Sequence, residues 1–218
     1  MDPTPHPSRG SRAGSVHARL RSACHAREWY ARDALVVARA LVGCLLVHEN
    51  GRGEPRVARI VETEAYRGPV DLACHARAGL TKRTQSLFGP AGHAYVFFVY
   101  GMHDCFNVVC RSGHGHAVLV RAGEAEGGLE AASRLDGPGR FARAMGISRS
   151  FDGHDLTKPP LYICPRDRPP RIAATARVGV GYAGRWADEP WRFFDVASRH
   201  VSRPPRKAIG RRRPGGEN

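Results

Sequence analysis

Residues 57–66 read Val-Ala-Arg-Ile-Val-Glu-Thr-Glu-Ala-Tyr, and the alternation in that stretch sets the fold class. Apolar and charged residues recur there with the period of a strand, so Val57–Tyr66 is strand-like. Asn50-Gly51 ahead of it is a hairpin signal and makes Cys44–His48 the preceding strand. Arg67-Gly68-Pro69 is the turn that ends the strand.

Further along the chain, Tyr95–Tyr100 is a dense aromatic and β-branched run. Gly101-Met102-His103-Asp104 then reads as a four-residue loop, with Cys105–Cys110 as the return strand of a hairpin. Ser112–His116 turns into another strand, Ala117–Ala122. Gly137-Pro138-Gly139 opens a helix to about Met145, with Phe141, Ala144 and Met145 on one face. Toward the N-terminus, Asp33–Leu41 is a short amphipathic helix stopped by Gly43. Ile172–Ala174 and Val178–Val180 read as short late strands. Strands in series with few crossover helices predict a single mixed α+β domain. The expected form is a curved, mostly antiparallel sheet with a protruding β-hairpin and surrounding helices.

The expected domain runs over residues 26–203, between a flexible basic arm (1–25) and a basic tail (204–218), both rich in Pro, Gly and Arg. No repeat of about 20–50 residues is present, which excludes a solenoid. The 42% hydrophobic content is enough for a packed core.

The formal net charge is +14, and the part between the tails is still basic after theirs is removed. That balance favours a polyanionic partner, because neutralised phosphates release condensed counterions. An Arg-rich proteome would produce basic proteins as well. Six cysteines (Cys24, Cys44, Cys74, Cys105, Cys110 and Cys164) form no CxxC pair and no zinc-ligand spacing, as expected of packed thiols in a reducing compartment. No apolar run approaches the roughly 20 residues of a membrane span, and the N-terminus lacks a secretory h-region. The expectation is an intracellular protein, cytoplasmic at the nucleoid or nuclear, without a membrane partner.

On the Val57–Tyr66 strand, Glu62, Glu64 and Tyr66 share one face. A carboxylate beside an aromatic ring can hold a flat base and a reactive water together. Taken alone, the same pattern fits a solvated strand face equally well. Asp71 and His75 follow where the strand gives way to a loop, a usual place for site residues. In the hairpin, Tyr95 and Phe98 are expected in the core, whereas Tyr100 beside the loop glycine is thrust outward. A ring on a hairpin tip suits entry into a minor groove, and it is also a common exposed turn residue. His114-Gly115-His116 reads as solvated rather than as a metal pair. The lone GxG of Arg177–Tyr182 has no helix start after it, so a dinucleotide fingerprint is unsupported. The three lysines (Lys82, Lys158 and Lys207) lie in turn-like or tail sequence. A Schiff-base nucleophile is therefore not evident, which leaves water in that role. No metal and no cofactor is expected.

Taken in order, several segments resemble the alkyladenine (3-methyladenine) DNA glycosylase family of mammalian type. They are Val61–Tyr66 with His75-Ala76-Arg77, Phe88-Gly89-Pro90 with Gly92, Tyr95-Val96, Tyr100-Gly101-Met102-His103, Asn107, Val120-Arg121-Ala122, Gly137-Pro138-Gly139 and Arg177–Gly181. They span roughly Tyr30 to Phe194.

The resemblance implies a monofunctional base-excision-repair enzyme acting on double-stranded DNA, as a monomer. Its substrates would be alkylated or deaminated purines: 3-methyladenine, 7-methylguanine and hypoxanthine. By matching position, Glu64 would be the base that activates water. Arg121 would hold that water and contact a phosphate, and the Val178 carbonyl would be a further water ligand. Tyr66, His75 and Phe97 would flank the flipped base. Asn107 would lie below it and penalise an exocyclic amino group, while Tyr100 would fill the gap in the duplex with Met102 beside it. Phe97 stands where the family often has Tyr, which keeps the stacking surface and loses a hydroxyl. The basic tails are not part of the family pattern. Two other classes fit the composition: a non-catalytic nucleic-acid-binding module, which needs no carboxylate in its site, and a hydrolase of free nucleosides.

Overall fold

The computed structural model describes residues 20–51, 53–130 and 133–203. The expected tail and all of the expected arm up to residue 19 lie outside them. Residues 20–25 do not hang free: Leu20 and Cys24 pack against a small cluster around Val47 and Tyr162, and Arg21 pairs with Glu49.

Eight strands form one antiparallel sheet, as the alternation predicts. They are β1 (Leu45–His48), β2 (Arg56–Arg67), β3 (Ala94–Val99), β4 (His103–Cys110), β5 (His116–Gly127), β6 (Leu161–Cys164), β7 (Ile172–Thr175) and β8 (Arg192–Asp195). The main order is β3-β4-β5-β2-β1-β6, with β8 also on β2 and β7 on β8. β2 is the central strand. One edge pairs with β5 along its length, while the other pairs first with β1 and then, at Glu62–Glu64, with β8.

Two helices beside the short α1 (Arg27–Tyr30) cover the sheet: α2 (Ala34–Leu41) and α3 (Pro138–Met145). Asp33 caps α2 by accepting the Leu35 N–H at 2.9 Å, and Ala34, Val37, Ala38 and Leu41 face the core. α3 starts at Pro138, where a missing N–H costs nothing, and buries Phe141, Ala142 and Met145. It lies so close to β5 that a Cβ on Gly123 would stand 2.7 Å from the Phe141 ring. Strand alternation then divides the sheet. Ala65, Val96, Phe106, Val108, Val118 and Val120 face the main core, and their neighbours at odd offset face a second, more polar side.

Several expectations change in detail. The hairpin loop is three residues, Tyr100–Met102, because Val99 pairs directly with His103. Tyr100 and Gly101 both take left-handed backbone, φ 54° and 66°, as a tight hairpin turn with the right twist requires. Val178–Val180 is loop, not strand. Leu161–Cys164 and Arg192–Asp195 are strands that four-residue runs between prolines and charges do not announce. Phe98 is not core; it is exposed under the Arg149 guanidinium, 4.5 Å from the ring centre. His116 is buried rather than solvated, with Nδ1 3.9 Å from Asp33.

Candidate active site

One row of paired residues crosses the sheet: Tyr95 on β3, Asn107 on β4, Leu119 on β5, Glu64 on β2 and Arg192 on β8. Residues two places along these strands, among them Tyr66, Phe97 and Ala117, share the face by alternation. Over this floor lies a cavity of about 370 Å³, within the usual range of small-molecule sites. Tyr66, His75, Tyr95, Phe97, Asn107 and Val178 line it, so the strands and the two loops bring nearly every expected site residue together.

The aromatic walls pack on one another. The Phe97 and His75 rings meet at 4.5 Å, near perpendicular, and Phe97 lies 5.5 Å from Tyr95. His75 Nδ1 hydrogen-bonds the Tyr95 hydroxyl at 3.0 Å. Burial, with help from Arg83, pushes the His75 imidazole below its ordinary pKa, so the ring is neutral at neutral pH. Asn107 donates both amide hydrogens, to the carbonyls of Tyr95 (3.0 Å) and Cys105 (3.3 Å), which fixes it as a stiff floor.

Glu64 is fully buried and does not border the cavity itself. It lies behind a wall made by its own partners. The Tyr66 hydroxyl donates to Oε2 at 2.9 Å, Arg121 Nη1 reaches the same oxygen at 3.3 Å, and the Val178 N–H donates to Oε1 at 2.7 Å. Val178 thus meets the acid through its N–H. Burial and the neighbouring Glu64 raise the Tyr66 phenol well above its ordinary pKa, so it stays a donor. Burial works against the Arg121 charge, but Glu64 and Glu62 outweigh it and raise the guanidinium above its usual value.

Loop and ring are anchored from below. Arg177 forms a fully buried two-pronged pair with Asp71, at 2.6 and 2.9 Å. Its guanidinium lies 4.8 Å from the Tyr66 ring centre. Asp71 is therefore a support and not a lining residue. No residue spacing links it to Arg177, 106 positions away.

At the rim, Tyr100 and Met102 stand on the hairpin tip, 85% and 68% exposed. Tyr100 borders both the aromatic cavity and a neighbouring groove that carries His103, Arg140, Arg143 and Arg203. Sequence reading missed Tyr95, Cys105, Tyr182 and Arg203 as lining residues; the first two follow from the strand period once β3 and β4 are paired. Among the described residues no group of His, Cys, Asp or Glu could hold a metal. None of their helices is long and apolar enough to cross a membrane.

Residues 28–199 match the methylpurine-DNA glycosylase (MPG) family. Proteins named "Putative 3-methyladenine DNA glycosylase" are similar over most of the chain. That of Myxococcus xanthus is 54% identical over 189 residues, covering 85% of this chain and 96% of its own. One from Anaeromyxobacter is 52% identical over 196 residues (86% and 98%), and one from Legionella pneumophila is 44% identical over 180 residues (81% and 97%). The chain belongs to the methylpurine-DNA glycosylase family, DNA-repair hydrolases that act on N-glycosyl bonds. This sets aside the non-catalytic binding module.

Proposed function

We propose that the protein flips alkylated or deaminated purines (3-methyladenine, 7-methylguanine and hypoxanthine) out of duplex DNA and hydrolyses the N-glycosidic bond with water activated by Glu64. The observation that carries this reading is the juxtaposition of Glu64 with the slot, through Tyr66, Arg121 and Val178.

Extruding a base costs a few kcal/mol, least when it is damaged or mispaired. Tyr100 offsets that cost by occupying the vacated stack, with Met102 beside it. The groove with Arg140, Arg143 and Arg203 supports a track for the phosphates of the same strand. In the slot, Tyr66, His75 and Phe97 flank the purine. Alkylated purines are often cationic, and a ring face favours a cation by about 0.5–2 kcal/mol. Asn107, held by both its N–H groups, lies below the base and penalises an exocyclic amino group such as that of guanine, a penalty that cationic 7-methylguanine offsets as the better leaving group.

A cationic purine is a good leaving group, and its departure gives the sugar oxocarbenium character. The Glu64 carboxylate stabilises that charge and takes the proton of the attacking water, a proton transfer worth about 10²–10⁴ in rate. Arg121 and the Val178 carbonyl orient the water. One chain supplies every group in the scheme, which favours a monomer.

Release of base from a panel of duplexes carrying 3-methyladenine, 7-methylguanine or hypoxanthine, scored as abasic sites, tests the reading. Glu64→Gln is expected to bind lesion duplex and release nothing. No release from any duplex, or from methylated genomic DNA, would overturn it, as would native turnover by Glu64→Gln. Cleavage of free nucleosides at the same rate would point instead to a nucleoside hydrolase.

A further inference from the structure

Glu62 is fully buried and outside the cavity, yet three hydrogen bonds tie it to the site. Its Oε1 accepts from Arg121 Nε at 2.8 Å and from the Ser202 hydroxyl at 2.9 Å, and its Oε2 accepts from the Ser202 N–H at 2.6 Å. Ser202 also accepts from Arg121 Nη2 at 3.2 Å, so one hydroxyl donates to the acid and receives from the guanidinium. Resting on the reading of Glu64 as base, we propose that Glu62 and Ser202 are positioning residues: they hold Arg121 so that it steadies Glu64 without monopolising it.

The backbone explains why Arg121 needs such holding. Ile60 pairs with Gly123 and Glu62 with Ala122, which leaves Val61 as an extra residue on β2. Glu62 pairs with Ala122 and Thr63 with Val120, which leaves Arg121 as an extra residue on β5. A bulged residue has no ladder partner to fix its direction, and bulges re-aim side chains beside sites. Side-chain contacts must then supply the aim.

Charge gives the second reason. Arg121 lies between two carboxylates, and Glu62 takes its Nε at 2.8 Å while Glu64 receives the longer 3.3 Å contact from Nη1. Without Glu62, the guanidinium would turn its charge on Glu64 alone and occupy the oxygen that must accept a proton from water. Arg192, whose Nε lies 3.6 Å from Glu62, would lose its counter-charge too.

Single-turnover excision and lesion-duplex affinity, measured for the native full chain and for Glu62→Gln, Ser202→Ala and Glu64→Gln, test this. The single-turnover rate constant does not depend on the active fraction, so a loss of folded protein alone would not move it. Glu62→Gln is expected to slow excision about ten- to a hundredfold, the worth of a charged hydrogen bond read as a rate. Ser202→Ala should slow it less, about two- to tenfold, because the Ser202 N–H and Arg121 Nε still hold Glu62. Affinity should stay at the native value in both. If Glu62→Gln does not fold, Ser202→Ala decides on the same two readouts. Native rates in the Glu62 and Ser202 variants, with Glu64→Gln inactive, would overturn the proposal. Affinity falling in step with rate would do the same, since it marks a structural role. Native turnover by Glu64→Gln would remove the base reading and this inference with it, and shows in that control alone.

Discussion

The backbone N–H of Val178 donates to Oε1 of Glu64 at 2.7 Å, joining residues 114 positions apart. Val178 is in a loop, so its position rests on its neighbour Arg177, which is locked to Asp71 and to the carbonyls of Ala65 and Trp186. A buried carboxyl group is tolerable only when hydrogen-bond partners surround it, and this loop brings one of the three donors.

Asp71→Asn should therefore be severe. Breaking a buried pair leaves the other charge uncompensated, at about 3–5 kcal/mol, and Asp71 and Arg177 are both fully buried. Urea unfolding should show a loss of that size. The same loosening frees the Tyr66 ring and the Val178 N–H, so excision should fall in protein still folded at low temperature. A loss under about 1 kcal/mol would mean that the pair is not the anchor.

Tyr66→Phe isolates one contact. The ring remains for stacking, and only the 2.9 Å hydrogen bond to Glu64 is lost. A buried carboxylate deprived of one donor costs about 1–3 kcal/mol, readable as a lower midpoint in thermal or urea unfolding. An unchanged midpoint would show that another donor takes the place of the Tyr66 hydroxyl at Glu64.

The sequence made much of this legible. The Glu62-Thr63-Glu64 alternation puts both acids on one face and leaves Thr63 to bond the Ala38 carbonyl of α2 on the other at 2.9 Å. The hairpin, its exposed ring and the Pro138 helix start also follow from local chemistry. What did not follow is long-range. Val178–Val180 has strand composition, but the Val178 N–H serves the acid rather than a ladder. Phe98 has core composition and shares the face of Val96, but it lies at the hairpin end of β3, where Arg149 covers it instead of the core. Asp71 and Ser202 act across more than a hundred residues, and no spacing rule reaches that far.

Tyr100 should separate stability from activity. At φ 54° its side chain is held in left-handed backbone, which costs a non-glycine residue roughly 1–2 kcal/mol, and 85% of it is exposed. Glycine would relieve the strain and remove the wedge together. Tyr100→Gly should unfold at or above the native midpoint and yet excise lesions more slowly, most of all from fully paired sites where flipping costs most. A lower midpoint would show that the ring supports the fold, and native excision would show that it does not enter the duplex.

Acid stability should bear the mark of His25. Burial, reinforced by Arg32, lowers this imidazole to about 4, and its ring stacks on Trp29 at 3.8 Å. In the unfolded chain it titrates near 6.5, the ordinary value. The unfolded state therefore binds a proton first as pH falls, so the stabilisation present above about 6.5 is lost on the way to about 4. Burial also lowers His48, His75 and His116, which adds to the same loss. Asp155, held at about 2, acts in a separate window below its ordinary 3.8. His25→Phe keeps an aromatic ring against Trp29 and removes the titration, so its melting temperature should fall less between pH 7 and pH 5 than that of the native protein. An equal fall in both would place the acid sensitivity in the other three imidazoles.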